Sequence, residues 1–411
     1  MKKTLTLLIV LFHISYLGAQ TIDNYTESDG LLSNSVNCVA IDANDNVWFG
    51  TNMGLSKFDG SNWTNYNSSN TPELIDTNIQ TITIANNGDI WLGTDFGAYN
   101  FNGTTWTSYS DTNGLAYNQI YRIDEGPNGD MYFAHNSFSA GVSVFNGTTW
   151  SSYGTPDLPF SGVCATSFDS QGNIWFASPL NGIIHYDGTT FTTYSNTDGL
   201  VSNYSTDILV DDLDNKWVGT GSGMSVLDAT NTTFTNHTKM LILPNPDTLN
   251  PVVEIAKDSH NRIWTAIYVG YLTVGGIAMY DGVGWLDWDT SDGIVGENIR
   301  GIAIDSQNNV WIATSEGVSM ITSVPYTPTS IENLATLSVS SIYPNPTYGV
   351  INVNYDNLRN NNQDMNLKLF NIKGEVVLET NDKTGIDITS FSTGIYILRN
   401  GDNILGRVVK L

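Results

Sequence analysis

A tryptophan-centred strand recurs along the chain at a nearly constant interval. It reads NVWFGT around Trp48, DIWLGT around Trp91, MYFAHN around Tyr132, NIWFAS around Trp175, NKWVGT around Trp217, RIWTAI around Trp264 and NVWIAT around Trp311. The steps between these aromatic residues are 43, 41, 43, 42, 47 and 47 residues. A unit of that length cannot bury its own apolar face, so copies must stack, as a propeller or as a solenoid. Each copy is preceded by an alternating apolar run and an Asx-rich turn, as in Ile302 and Ile304 followed by Asp305-Ser306-Gln307-Asn308-Asn309. Most are followed by Gly-x-Ser-x-Phe-Asp-Gly and then Trp-x-x-Tyr, as between Gly54 and Tyr66. That makes four short strands per copy, the content of one propeller blade.

The two ends of the repeat region favour a ring. Copy seven stops at its third strand, Val318-Ser319-Met320-Ile321, with no Trp-x-x-Tyr behind it. Ile22-Asp23-Asn24-Tyr25, followed by Ser28-Asp29-Gly30-Leu31, has the form of a blade's end, like Trp106 to Tyr109 with Gly114-Leu115 behind it. The simplest account is that Ile22 to Tyr25 is the missing fourth strand of copy seven, which leaves no unpaired edge where the chain meets itself. The expected fold is all-β: a seven-bladed β-propeller over residues 21–322, closed by the N-terminal strand. Residues 323–340 contain Pro325, Pro328 and many Ser and Thr, and read as a linker. Residues 341–411 show six alternating runs, Val350 to Tyr355, Asn366 to Ile372, Val376 to Glu379, Ile386 to Ile388, Ile395 to Arg399 and Gly406 to Leu411. These suit a small C-terminal β-sandwich.

The first residues read as an export signal. Lys2 and Lys3 precede an apolar run from Leu5 to Leu17, and Gly18-Ala19-Gln20 offers small residues for cleavage, so residues 1–20 are expected to be a signal peptide. The run is short for a membrane span, and no other segment approaches one. No Cys follows the cleavage region, which argues against a lipid anchor. The net charge of −25 disfavours nucleic acid and anionic membrane surfaces. Cys38 and Cys164 fall on the first strands of copies one and four, far apart in a ring of seven, and read as unpaired, small buried hydrophobes.

Most motifs that carry chemistry elsewhere have a structural explanation here. The repeated tryptophans read as packing between neighbouring blades rather than as a sugar platform. Asp42-x-Asn44-x-Asn46 and Asp305 to Asn309 resemble fragments of a calcium loop but lack its glycine and bidentate Glu, so they read as Asx turns. His135, His185, His237 and His260 occupy four different blade positions, with no metal-ligand spacing. No metal and no cofactor are expected. Arg122, Asp207 and Glu254 share one register, ten residues before the blade aromatic, on the innermost strand, and Arg300 is one step off it. They converge towards the channel, either as a binding site or as a mutually paired, solvated set. Copy six has a long second-to-third loop, Ile267-Tyr268-Val269-Gly270-Tyr271-Leu272, and the connection into it, Met240 to Pro251, is also long. Both leave the same propeller face. Tyr268 and Tyr271 are therefore candidate ligand-stacking residues on one rim, with Glu254 below it.

The repeats, with their Asn/Gly-x-Ile/Val-Trp-x-Gly/Ala-Thr core, resemble two-component regulator propeller repeats. That resemblance implies a seven-bladed extracellular propeller, often part of a hybrid histidine kinase sensor for carbohydrate fragments. No kinase region or membrane helix accompanies the repeats here. The last 71 residues resemble the type A C-terminal sorting domain of type IX secretion cargo, through Tyr343-Pro344-Asn345-Pro346, Gly349, Lys373-Gly374, Ile386-Asp387-Ile388, Gly394-Ile395-Tyr396 and Lys410-Leu411. This implies export across the outer membrane by the type IX machinery, then release or attachment at the cell surface. Streptogramin lyase, a seven-bladed enzyme with similar tryptophan repeats, is the enzyme family most nearly suggested. Where its histidine base is expected, before a Gly-Ile strand of copy seven, this chain has Arg300. Two function classes follow. One is a secreted or cell-surface binding protein for polysaccharide fragments or surface proteins. The other is a secreted propeller enzyme, streptogramin-lyase-like or polysaccharide-degrading, using Asp207 and Glu254 at the channel mouth. Fold alone does not choose between them.

Overall fold

The computed structural model describes residues 21–137, 140–154, 158–159, 162–243, 248–322, 340–343, 347–355, 367–371, 376–382, 384–400 and 403–410. The expected signal peptide and the linker as far as residue 339 lie outside the described residues. No α-helix occurs among the described residues. The chain forms two compact units: one of Met1–Met279 and Leu286–Pro325, the other of Tyr280–Trp285 and Tyr326–Leu411.

Seven four-stranded sheets carry the repeats. In the first, Val36–Ile41, Val47–Thr51, Gly54–Phe58 and Trp63–Tyr66 follow one another in order from inner to outer strand. The inner strands of the next six are Thr81–Ile84, Arg122–Glu125, Ala165–Phe168, Ser205–Val210, Val252–Lys257 and Ile299–Ile304. Each inner strand packs against that of the next sheet, and Ile299–Ile304 also packs against Val36–Ile41. Second strands such as Val47–Thr51 and Val310–Thr314 are buried at every position, because a sheet covers each face. Outer strands are more open, with their two middle residues exposed and their end residues half-buried in Trp106–Tyr109 and Phe191–Tyr194.

The repeated tryptophans are core, as their register suggests. Trp48, Trp91, Trp175, Trp217, Trp264 and Trp311 are all buried. Each stacks on the last ring of its own sheet's outer strand: Tyr66, Tyr109, Tyr194, His237, Trp288 and Tyr25 respectively. Burying an indole needs a partner for its N–H. For all but Trp91, whose turn starts at Ala85, the first Asp of the preceding turn supplies it: Trp48 Nε1 donates to Asp42 at 3.0 Å, Trp217 to Asp211 at 2.9 Å and Trp264 to Asp258 at 3.0 Å, and Trp175 and Trp311 do the same with Asp169 and Asp305. The same carboxylate closes the turn, accepting the backbone N–H groups of Asn44 and Asn46 in the first sheet. The Asx turns therefore support the core. Two residues after each tryptophan, a small residue lets the next sheet's chain approach. A Cβ on Gly93 would lie 2.6 Å from side-chain carbons of Ile120 and Thr81.

Ile22–Tyr25 pairs antiparallel with Gly317–Ile321, with Ile22 opposite Ile321 and Tyr25 opposite Val318. Its side chains repeat the chemistry of the other outer strands. Asn24 bonds Ser319 Oγ at 2.6 Å and Gly293 O at 3.0 Å. Asn65 does the same with Ser56 and Gly30, and Asn236 with Ser225 and Gly199. Across the junction between the seventh and first sheets, Ser306 N donates to Asp45 Oδ1 at 3.0 Å.

The second unit has a three-stranded sheet of Ser340–Tyr343, Val350–Tyr355 and Ile386–Asp387, and a four-stranded one of Val376–Thr380, Leu367–Asn371, Gly394–Asn400 and Asn403–Lys410. Ile351 and Val353 from the first sheet and Leu367, Leu369, Leu398 and Val408 from the second share one core. Ser340–Tyr343 was not expected as a strand. It is short and precedes Pro344, and it is recruited by pairing with Val350–Tyr355.

Candidate functional site

Three of the charged residues expected near the channel meet there. Arg122 leaves the inner strand of sheet three, and its Nη1 lies 2.9 Å from Glu254 Oε1 of sheet six and 3.4 Å from Asp207 Oδ1 of sheet five. Arg122 Nε lies 3.4 Å from Asp124 Oδ1 on its own strand. The carboxylates are held from their other sides by backbone. Asp207 Oδ2 accepts Ile255 N–H at 2.7 Å, Glu254 Oε2 accepts Ile302 N–H at 2.9 Å, and Asp124 Oδ2 accepts both Thr166 N–H and Oγ1–H. One guanidinium thus ties the inner strands of sheets three to seven together. The set is mutually paired, but it is not solvated throughout: the Asp207 side chain is 1% exposed, against 27% for Arg122 and 21% for Glu254. Asp124 was missed by the sequence reading because it lies outside the shared register. Its position two residues after Arg122, on the same face of a strand, is the signal that would have found it.

The electrostatics follow from burial. The Asp207 pKa is raised to about 7, chiefly by burial, with Arg122 pulling it down and Glu254 pushing it up. Glu254 is also raised, chiefly by burial and against the pull of Arg122. Burial works against the Arg122 charge, but Asp207, Glu254 and Asp124 outweigh it and raise its pKa. Beside this cluster lies a cavity of about 410 Å³ with apolar walls from Ile41, Ile84 and Phe168 and a polar lining that includes Thr83, Asp124 and Glu254. Cys38 is partly exposed and lines the same cavity, while Cys164 is buried; neither forms a disulfide.

Arg300 does not join the cluster. Its Nη1 donates to Ser35 Oγ at 3.0 Å and Asn37 Oδ1 at 2.8 Å, and Asn37 in turn donates to Ile79 O. It links the inner strands of sheets seven, one and two. The histidines have local roles: His135, fully buried, bonds Gln119 O and Ser143 Oγ, and His185 stacks on Trp175. No group of three potential metal ligands occurs among the described residues.

The long second-to-third loop of sheet six is mostly a strand extension. Its hairpin runs Ile263–Val269 and Val274–Tyr280, so only residues 270–273 form the turn. Tyr268 is half-buried, with its ring over Gly275, where a Cβ would meet it at 3.1 Å. Tyr271, at the turn, is 79% exposed. The connection into sheet six lies beside this hairpin, as Tyr268 N donates to Pro251 O at 3.3 Å. Asn250 pins the connection by accepting the N–H groups of Met240 and Leu241.

Residues 341–410 match the secretion system C-terminal sorting domain, and residues 30–53 and 293–316 match the two component regulator propeller. The chain carries two component regulator propeller repeats and a secretion system C-terminal sorting domain. No curated protein matches it in sequence. Among solved structures it is similar to the extracellular domain of the B. thetaiotaomicron protein BT3049, of the hybrid two component system class. The TM-score is 0.60 at 19% identity, over 92% of this chain and 52% of that one, so the chain spans about half the length of that domain. It is also similar to virginiamycin B lyase from Staphylococcus aureus, with a TM-score of 0.59 and 15% identity over 74% of this chain and 100% of the lyase. PorZ of Porphyromonas gingivalis, a surface component of the type-IX secretion system, aligns with a TM-score of 0.57 and 14% identity over 92% of this chain and 60% of PorZ. At these identities the likeness is one of fold. The sorting domain puts the propeller repeats on the type IX route to the cell surface, where it engages that machinery. No helix among the described residues is long and apolar enough to cross a membrane.

Proposed function

We propose that this chain is a secreted, non-catalytic binding module. In this reading residues 1–20 are a signal peptide removed on export, and residues 21–322 form a closed seven-bladed ring. Residues 323–340 are a linker, and residues 341–411 are the sorting domain. The pairing of Ile22–Tyr25 with Gly317–Ile321, and the matching contacts of Asn24 and Asn65, support a ring closed by the N-terminal strand. The ligand is a polysaccharide fragment or a surface protein, taken at the rim where Tyr268 and Tyr271 lie beside the Met240–Pro251 connection.

The observation that carries this reading is the Tyr271 ring, 79% exposed at the tip of a hairpin whose base is packed and whose neighbouring loop is pinned. A rigid scaffold holding an exposed aromatic is suited to stacking on a sugar face or a partner. The enzyme alternative asks Asp207 and Glu254 to act on a substrate. Both already accept backbone N–H groups and the Arg122 guanidinium, which favours an architectural role. The test is a glycan array with the purified mature chain, followed by titration of the hits. Saturable binding without turnover is expected, and Tyr268→Ala with Tyr271→Ala weakens it while stability stays within about 1 kcal/mol. Loss of substrate over time would assign the enzyme class instead. A double variant that binds normally would remove these tyrosines from the site.

A further inference from the structure

A second sector of the loop face, away from Tyr268 and Tyr271, carries a different chemistry. Three loops meet there: the connection 67–80 into sheet two, the turn 94–97 within it, and the connection 110–121 into sheet three. They are clamped to one another. Ile120 N donates to Thr94 O at 2.9 Å, and Asp95 accepts the side-chain amides of Gln119 at 2.9 Å and Gln80 at 3.5 Å.

On this fixed platform sit large apolar side chains that the fold does not use. Ile75 is 80% exposed and Phe96 75%. Packing of these same connections into the core is done by Leu74, Ile79, Leu115 and Ile120, all buried. Nor does the turn demand a phenylalanine. Thr94 bonds Gly97 O and Phe96 N, and the same two bonds occur at Thr220 with Ser222 and at Thr314 with Glu316. The side chain at that turn position is therefore free to vary, and Ser or Glu serves the fold as well. Exposed apolar groups gathered on loops of a rigid scaffold are the signature of an interaction surface.

The charge of the sector is one-sided. Glu73 and Asp111 are exposed and in no ion pair, and the three loops contain no Lys or Arg. Ile75 offers no flat ring face for a sugar to stack on.

We propose that this sector docks a polypeptide segment whose apolar side chains are flanked by Lys or Arg. The exposed Ile75 and Phe96 side chains supply the contact area, and the carboxylates of Glu73 and Asp111 supply orientation and attraction for the cations. This goes beyond the ligand rim at sheet six and does not depend on it.

The experiment uses the mature full-length chain and fluorescence anisotropy with two labelled synthetic peptides. One alternates Leu and Lys; the other has every Leu replaced by Ser at the same charge. The Leu/Lys peptide is expected to bind saturably and at least about ten-fold more tightly than the Ser/Lys peptide. Ile75→Ser with Phe96→Ser should cut Leu/Lys binding about ten-fold with the melting temperature unchanged. Glu73→Gln with Asp111→Asn should weaken it and flatten its salt dependence. Tyr268→Ala with Tyr271→Ala should leave it unaltered, which separates this surface from the proposed ligand rim. Equal binding of both peptides, or full binding by the Ile75/Phe96 variant, would reduce the effect to bulk attraction by an acidic protein and overturn the proposal. Displacement of the peptide by soluble glycans would overturn it too, by assigning the sector to carbohydrate.

Discussion

Arg122 starts on one inner strand and ends among carboxylates from two others, so its removal should be felt across several sheets. Arg122→Met would leave Glu254 and the partly ionised Asp207 desolvated without a counter-charge. Breaking a largely buried pair in this way costs about 3 kcal/mol, whereas removing both partners costs less. Chemical denaturation of Arg122→Met, and of the same variant with Glu254→Gln, should show the double variant recovering part of the loss; equal or greater loss in the double variant would show that the guanidinium does not act through Glu254. Asp207 adds a pH dependence. Its pKa rises from an ordinary 3.8 to about 7 on folding, so the folded chain keeps a proton that the unfolded chain releases. Its contribution is fully present below about pH 4 and is lost as pH rises through about 7. Calorimetry should therefore show wild-type stability falling between about pH 4 and about pH 7 more steeply than that of Asp207→Asn. Parallel profiles would place the titration elsewhere. The shared register of Arg122, Asp207 and Glu254 was legible in the sequence, because a repeat aligns equivalent positions. Their mutual pairing was one of the two readings the register allowed; the burial of Asp207 and the part of Asp124 were not legible, since alignment says nothing about which neighbours exclude water.

At the scale of elements, the strand Ile22–Tyr25 is short, yet it completes a sheet. Tyr25 stacks on Trp311 with ring centroids 5.6 Å apart, and also packs near Phe58 and Trp63 of sheet one. Deleting residues 21–26 removes a paired edge, an aromatic contact and the Asn24 bonds together. The melting temperature should drop by several degrees or more, beyond a typical point substitution. A truncated chain that melts like the intact one would show that these contacts add nothing. The displaced strand was readable because it kept the outer-strand pattern while copy seven lacked it. The hairpin at Tyr268 was misread as a loop. Its length was visible, but whether that length is turn or paired strand depends on close backbone approach at Gly275, where a Cβ would collide with Glu297 O and lie 2.6 Å from Ile267 O.

For the whole molecule, the two units have separate tasks. Most of the net charge of −25 lies in the repeats, where it favours solubility. The second unit has its own core, and its task should transfer with it. Fusing residues 323–411 to an unrelated exported reporter should carry that reporter across the outer membrane of a type IX-competent host. Cell fractionation checks this, and a reporter retained in the periplasm would count against autonomous sorting.

Sequence alone determined the repeat, its four-strand content, the core role of the tryptophans and the sorting tail. Each of these is written in periodic apolar spacing or in a local motif, and periodicity survives without knowledge of distance. Tertiary structure decided the rest. It set Asp42 under Trp48, closed Asp207 away from water beneath Arg122, and left Phe96 and Ile75 uncovered on loops that a turn rule would have filled with polar residues. These features depend on which surfaces of distant copies meet. Such meetings are set by the packing of whole sheets, and no local pattern along the chain encodes them.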